Sequence, residues 1–263
     1  MAGLNYAVSG TPDLPAVLFL HGFMGSGADW KSVIATLEGR FRCVAVDLPG
    51  HGASVGLPPE AYIFENAARL VLDMLDELEI DETTFVGYSM GGRLALYLVL
   101  RYPERCSGLF LESASPGLRS ERERSERRAT DEEKASRLES EDFDEFLHDW
   151  YRQPLFESLA QDAALFRGTI ESRRRNDPAE LAKALRGMGT GSQPSLWGEL
   201  AGLRVPAFTV VGELDRKFVE IAHRIASLNP RVQIAIVPGA GHSVHVEVSK
   251  DFLELLGDFL VPS

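Results

Sequence analysis

Apolar residues follow two alternating patterns along the chain. Short, nearly continuous apolar runs recur at PAVLFL, CVAVDL, TTFVGYS, CSGLFLESA, PAFTVVGE and VQIAIVPG. Such runs suit strands of a parallel sheet that is covered on both faces. Segments with helical spacing lie between them. ENAARLVLDMLDELE puts Ala67, Leu70, Val71, Met74, Leu75 and Leu78 on one stripe. Met90 to Arg101 predicts a second helix that stops before Pro103. SKDFLELLGDFL predicts the last. Strand and helix in alternation predict an α/β fold with a mostly parallel, doubly wound sheet.

The alternation breaks between residues 117 and 203, where no strand pattern occurs. That stretch opens with GLRSERERSERRATDEEKASRLES and turns aromatic in FDEFLHDWYRQPLF. It predicts a helical cap, 117–203, inserted into a core made of 1–116 and 204–263. A cap there would cover the C-terminal edge of the sheet, where open α/β sheets bind their ligands.

Charge narrows the function. The 263 residues carry a net charge of -12, which argues against nucleic acid or an anionic membrane as partner. The N-terminal stretch lacks a basic segment and a long apolar run, so neither a signal peptide nor a membrane span is expected. Two cysteines, Cys43 and Cys106, each begin an apolar run. Two buried thiols in a reducing cytosol are expected in preference to a disulfide.

The chemistry starts at Gly87-Tyr88-Ser89-Met90-Gly91. This is Gly-x-Ser-x-Gly between a predicted strand and a predicted helix, the context in which the motif presents a nucleophilic serine. His21-Gly22-Phe23-Met24-Gly25 follows the first apolar run. It could aim the Phe23 N–H at the spot faced by the Met90 N–H, giving an oxyanion hole; the alternative is a plain turn with a buried histidine. Ser89 needs a histidine to take its proton. Of six histidines, His242 follows the last apolar run, with His245 as a nearby competitor. VVGELD offers Glu213 and Asp215 as the orienting acid, and Asp215 lies further into its loop. The chain order Ser89, Asp215, His242 is that of the α/β-hydrolase fold. Asp47, His51 and Ser54 in VDLPGHGAS stand in the wrong order for a triad and predict a structural turn. No residues have metal-ligand spacing, and no glycine-rich loop has a dinucleotide or phosphate pattern, so neither metal nor cofactor is expected.

The arginines shape the substrate. Arg93 lies one helical turn past Ser89; either it pairs with a carboxylate of the protein or it waits for one on a ligand. Arg124, Arg127 and Arg128 share a face of the first cap helix, and Arg173, Arg174 and Arg175 form a second basic knot. Guanidinium forks suit carboxylates. Several of them around an activated serine predict a small polycarboxylate as the partner, with no nucleic acid, no membrane and a monomer sufficing.

GYSMGGR, LESASPGL, the Arg/Glu-rich cap opening, DWYRQPLF and RGMGTGSQPSLW resemble the 2-succinyl-6-hydroxy-2,4-cyclohexadiene-1-carboxylate synthases of menaquinone biosynthesis, which have the α/β-hydrolase fold. The likeness covers nearly the whole chain. It implies a lyase that eliminates pyruvate from 2-succinyl-5-enolpyruvyl-6-hydroxy-3-cyclohexene-1-carboxylate in a prokaryotic cytoplasm. Ser89, His242 and Asp215 would abstract a ring proton, with the Phe23 and Met90 amides as the oxyanion hole. Arg93, Arg127 and Arg173 match the family's substrate-binding arginines, and Tyr88, Trp150 and Phe156 match or flank its pocket residues. The competing reading is a carboxylic-ester or carbon–carbon bond serine hydrolase on the same scaffold, since fold alone does not fix chemistry.

Overall fold

Seven strands form one sheet in the order β1-β3-β2-β4-β5-β6-β7 in the computed structural model, which describes residues 3–261. They are β1 (Tyr6–Ser9), β2 (Ala16–Leu20), β3 (Arg42–Val46), β4 (Thr83–Tyr88), β5 (Cys106–Glu112), β6 (Ala207–Gly212) and β7 (Val232–Val237). β1 runs antiparallel to β3, and every other pairing is parallel. The six apolar runs match β2 to β7. β1 is the addition: it is four residues long and half-exposed at the sheet edge, so it carries no apolar run to betray it.

Helices cover both faces. α1 (Lys31–Leu37) precedes β3; α2 (Phe64–Glu77) and α3 (Met90–Arg101) flank β4. Five helices stand between β5 and β6: α4 (Glu121–Ser140), α5 (Phe143–Tyr151), α6 (Glu157–Gln161), α7 (Ala163–Arg173) and α8 (Pro178–Met188). α9 (Arg216–Leu228), α10 (Val244–Glu247) and α11 (Ser249–Leu260) complete the chain. One apolar core joins Leu18, Leu20, Phe85 and Leu109 of the sheet to α2 and α3. A second joins Val17, Phe19, Val86 and Phe110 to α1 and α11. Alternate strand residues thus feed opposite faces, as the pleat requires.

The helical insertion has its own apolar cluster, including Leu138, Phe146, Leu147, Tyr151, Leu181 and Leu185. Met24, from the loop after β2, is buried in that cluster and ties it to the sheet. The charge run forms α4. Its first turn has a capping box: the Glu123 N–H donates to Ser120 Oγ at 3.2 Å, and the Ser120 N–H donates to Glu123 Oε2 at 2.7 Å. Most charges along it pair locally, as in Arg122–Glu126 and Arg137–Glu141. Arg186 of α8 reaches Glu132 and Glu139 and so ties α8 to α4.

Both cysteines are free and buried. Burial pushes each thiol up to about 12, which keeps them protonated and unreactive.

Candidate active site

Ser89 follows β4 at the sharp turn into α3. Its backbone is strained, with φ 47° and ψ -106°, as befits a residue held out for chemistry. The turn demands glycine at position 91: a Cβ there would lie 2.3 Å from the Leu20 carbonyl oxygen. His242 Nε2 lies 3.1 Å from Ser89 Oγ, and His242 Nδ1 lies 2.7 Å from Asp215 Oδ2. An ionised Asp215 can only accept, so the imidazole carries its proton on Nδ1. Nε2 is then left free to accept from the serine hydroxyl. Asp215 also caps α9, accepting from the Phe218 N–H at 3.3 Å. That contact fixes the carboxylate, and Phe218 packs its ring 4.8 Å from the His242 ring.

The histidine loop is braced from within. Glu247 accepts from the N–H groups of Gly241 at 2.8 Å and Ser243 at 3.0 Å, one on each side of His242. His245, the competing histidine, pairs instead with the fully buried Glu112, whose Oε1 lies 2.9 Å from its Nδ1. Glu213, the competing acid, is exposed and accepts from the Gly239 N–H.

The loop after β2 runs against the serine. A Cβ on Gly22 would meet the Tyr88 ring at 2.6 Å and would lie 3.6 Å from Ser89 Cβ. His21 donates from Nδ1 to the Gly22 carbonyl at 2.7 Å and accepts the Leu48 N–H on Nε2 at 3.0 Å. Burial lowers its pKa, so it is a neutral brace. The same loop therefore has a buried structural histidine and also sets Phe23 beside Ser89. Asp47, His51 and Ser54 form a turn behind the loop after β2, where His51 packs 4.9 Å from the His21 ring and 5.5 Å from the Phe23 ring. Asp47 accepts from Asn5, Gly27 and Ala53, and Ser54 accepts from the Asn5 N–H.

A cavity of ≈ 190 Å³ lies over the serine. Its walls include Phe23, Tyr88, Met90, Trp150 and Phe156, besides Ser89 and His242. Tyr88 shares a 2.6 Å hydrogen bond with Ser243 Oγ. Trp150 packs 5.1 Å from Phe23, and Phe156 meets His242 edge-on at 5.7 Å. Asp215 stands behind His242, outside the cavity.

Three arginines line the cavity: Arg93, Arg127 and Arg173. They differ in how their charge is used. Arg173 is buried and paired with Asp29, Nη1 to Oδ1 at 2.7 Å, and it donates to the Tyr151 hydroxyl at 3.2 Å. Arg127 pairs with the buried Asp131 at 2.7 Å. Arg93 has no carboxylate within ion-pair distance among the described residues. Its Nη1 donates to Gln193 Oε1 at 3.1 Å and its Nη2 to the Met188 carbonyl at 2.9 Å. Burial, and then the Arg127 charge, pull it down to about 9, so it remains charged at neutral pH. A buried cation held by two neutral acceptors is ready for an anion. Arg124 and Arg128 pair with Glu121 outside the cavity. Arg174 pairs with Asp144 and Glu171.

Four contributors escaped the sequence reading: Gln193, Asp29, Phe218 and Lys217. Gln193 lies in RGMGTGSQPSLW but has no charge to single it out. Asp29 acts across 144 positions of sequence. Phe218 and Lys217 follow the triad acid, and Lys217 is exposed at the cavity wall. Among the described residues no group of acidic, histidine or cysteine side chains could hold a metal. No described helix is long and apolar enough to cross a membrane.

Comparison with known proteins bears on the fold and the family. The family model described as "alpha/beta hydrolase fold" matches residues 15–248. A Bacillus subtilis (strain 168) protein, provisionally named as 2-succinyl-6-hydroxy-2,4-cyclohexadiene-1-carboxylate synthase, is 38% identical over 262 residues; the match covers 98% of this chain and 95% of that one. The synthase of the same name from Salmonella agona (strain SL483) is 34% identical over 251 residues, 95% and 96% of the two chains. The structure of MenH from S. aureus superposes with a TM-score of 0.92 at 34% identity, covering 99% of this chain and 98% of that one. The chain belongs to the α/β-hydrolase-fold family and, within it, to the 2-succinyl-6-hydroxy-2,4-cyclohexadiene-1-carboxylate synthases.

Proposed function

We propose that the protein eliminates pyruvate from 2-succinyl-5-enolpyruvyl-6-hydroxy-3-cyclohexene-1-carboxylate, with Ser89, His242 and Asp215 as its base. The ring hydrogen to be removed is on carbon 2, next to the succinyl ketone. Ser89 Oγ takes that proton as its own passes to His242 Nε2, and Asp215 stabilises the imidazolium. The C–H electron pair forms the C2–C3 double bond and the old C3–C4 pair moves to C4–C5. The C5–O bond then breaks and pyruvate leaves as its enolate, which is protonated. Charge that builds on the ketone oxygen is held by the Phe23 and Met90 N–H groups, aided by the positive end of α3. No acyl-enzyme forms and water is not a reactant.

The observation that carries this reading is Arg93. A serine hydrolase for neutral esters has no use for a buried, unpaired guanidinium beside its nucleophile. A substrate with three carboxylates does. Arg93 takes one of them directly. Arg127 and Arg173, already paired, add directional N–H donors and local positive potential. Tyr88, Trp150 and Phe156 enclose the ring. The helical insertion, 117–203, serves as the cover over a core of 1–116 and 204–263. Every group needed comes from one chain, so a monomer suffices, and reduced thiols and a small anionic substrate suit the cytoplasm.

The test is pyruvate release from the enolpyruvyl substrate by the purified protein, with Ser89→Ala as control for spontaneous elimination. Release that exceeds the control by orders of magnitude supports the reading. Release equal to the control refutes it.

A further inference from the structure

Trp197 is half-buried against the main core and is bonded to a segment that lines the cavity. Its indole N–H donates to the Gly117 carbonyl at 2.7 Å, and Gly117 and Leu118 line the cavity. On the other side, α9 supplies Lys217, Phe218 and Ile221 to the same wall. Two guanidiniums converge on the Trp197 ring from these two segments. Arg119, next after Leu118, has its central carbon 4.4 Å from the ring centroid. Arg224, one helical turn after Ile221, lies 5.2 Å away. Both arginines are exposed. Neither makes an ion pair or a side-chain hydrogen bond among the described residues, whereas Arg124 and Arg128, just beyond Arg119, both do.

This arrangement has a physical consequence. Cation–π contact engages the guanidinium through the ring quadrupole and leaves N–H donors free for a second partner. Two like charges held against one indole repel each other, and a bound anion relieves that repulsion. Two acids lie nearby: Glu123, whose carboxyl is lowered mainly by its Ser120 cap hydrogen bonds and also by the Arg119 charge, and Glu220, one helical turn before Arg224; among the described residues neither comes within ion-pair distance of the two arginines. With exposed Lys217 they make a basic rim on a protein whose net charge is -12. The net charge opposes the approach of a polyanion at long range, and a local basic rim offsets that opposition where it lies.

We propose that Arg119, Trp197 and Arg224 form a carboxylate-capturing rim at the mouth of the cavity, which draws the polycarboxylate substrate in ahead of its contact with Arg93. The proposal rests on the function given above for what the substrate is, but carboxylate capture at the rim can be measured without turnover.

The test compares two double variants with the same change in net charge. Arg119→Ala/Arg224→Ala removes the rim. Arg40→Ala/Arg231→Ala removes two exposed arginines next to the N-terminal ends of β3 and β7, at the opposite edge of the sheet. kcat/KM is measured at about 0.01 M and about 1 M salt, where the Debye length falls from about 30 Å to about 3 Å. Citrate, an unreactive tricarboxylate, is titrated into each protein by calorimetry at low salt. The rim variant is expected to lose about tenfold in kcat/KM at low salt and little at high salt, and to bind citrate several-fold more weakly. The charge-matched variant should stay close to the wild type in both. Equal behaviour of the two variants, or a wild-type protein that binds no citrate, overturns the rim. A wild type that binds citrate through the rim but releases no pyruvate instead overturns the proposed reaction and leaves the rim standing.

Discussion

The guanidinium of Arg93 is held by Gln193 Oε1 at 3.1 Å and by the Met188 carbonyl at 2.9 Å, and among the described residues by no carboxylate. This sets Arg93 apart from the other two cavity arginines, which are already neutralised by Asp131 and Asp29. It predicts a functional effect larger than the structural one. Arg93→Ala should lower kcat/KM by about 10- to 100-fold, the worth of a charged hydrogen-bonded contact, while the melting temperature changes little. A large fall in melting temperature with kcat/KM unchanged would show a purely structural arginine.

Gln193 matters because it is neutral. Gln193→Glu would put a carboxylate against Arg93 and consume the charge that the substrate needs. KM should rise by about tenfold or more, with some loss of thermal stability, because the buried Gln193 Nε2 also donates to the Ser115 carbonyl at 3.2 Å and a carboxylate cannot. Steady-state kinetics together with calorimetry separate this from misfolding. An unchanged KM would mean that Arg93 does not meet substrate.

Asp215 holds the His242 tautomer at 2.7 Å. Asp215→Asn keeps the size of the side chain but can turn the imidazole so that Nε2 no longer accepts from Ser89. kcat should fall by about 10³- to 10⁴-fold with the fold intact by circular dichroism. A loss below about tenfold would place the proton transfer elsewhere.

Asp29 and Arg173 join the loop after β2 to α7 through a buried ion pair. Burial pushes the Asp29 carboxyl up, but the Arg173 charge and hydrogen bond outweigh it, and its pKa lies below the ordinary 3.8. A depressed carboxyl stabilises the fold above its unfolded pKa, and that contribution is lost as pH falls through the folded one. Asp29→Asn should therefore cost about 3 kcal/mol at neutral pH, because Arg173 stays buried without its counter-charge. Denaturation of both proteins as a function of pH should show the gap closing below about pH 4. A gap that persists unchanged in acid would assign the loss to packing.

Much of the molecule was legible in its sequence because local patterns carried it. Buried parallel strands leave unbroken apolar runs, and the elbow needs glycines at fixed offsets, so β2 to β7 and Ser89 stood out. His242 and Asp215 are singled out by their addresses at strand ends, and the fold brings them into line with Ser89. β1 stayed hidden because a short edge strand with one wet face leaves no such run. Gln193, Asp29 and the Trp197 cluster stayed hidden for another reason. Their partners are tens to more than a hundred residues away, and only the folded chain shows which arginines are already paired.

In the proposed reaction Ser89 and His242 remove a ring proton and do not attack a carbonyl carbon. Substrate carrying deuterium at ring carbon 2 tests this most directly, with pyruvate release followed at concentrations well below KM. The deuterated substrate should have the lower kcat/KM, and Ser89 should keep its unmodified mass throughout turnover. Equal kcat/KM for the two substrates, with an acylated Ser89 trapped during the reaction, would contradict it.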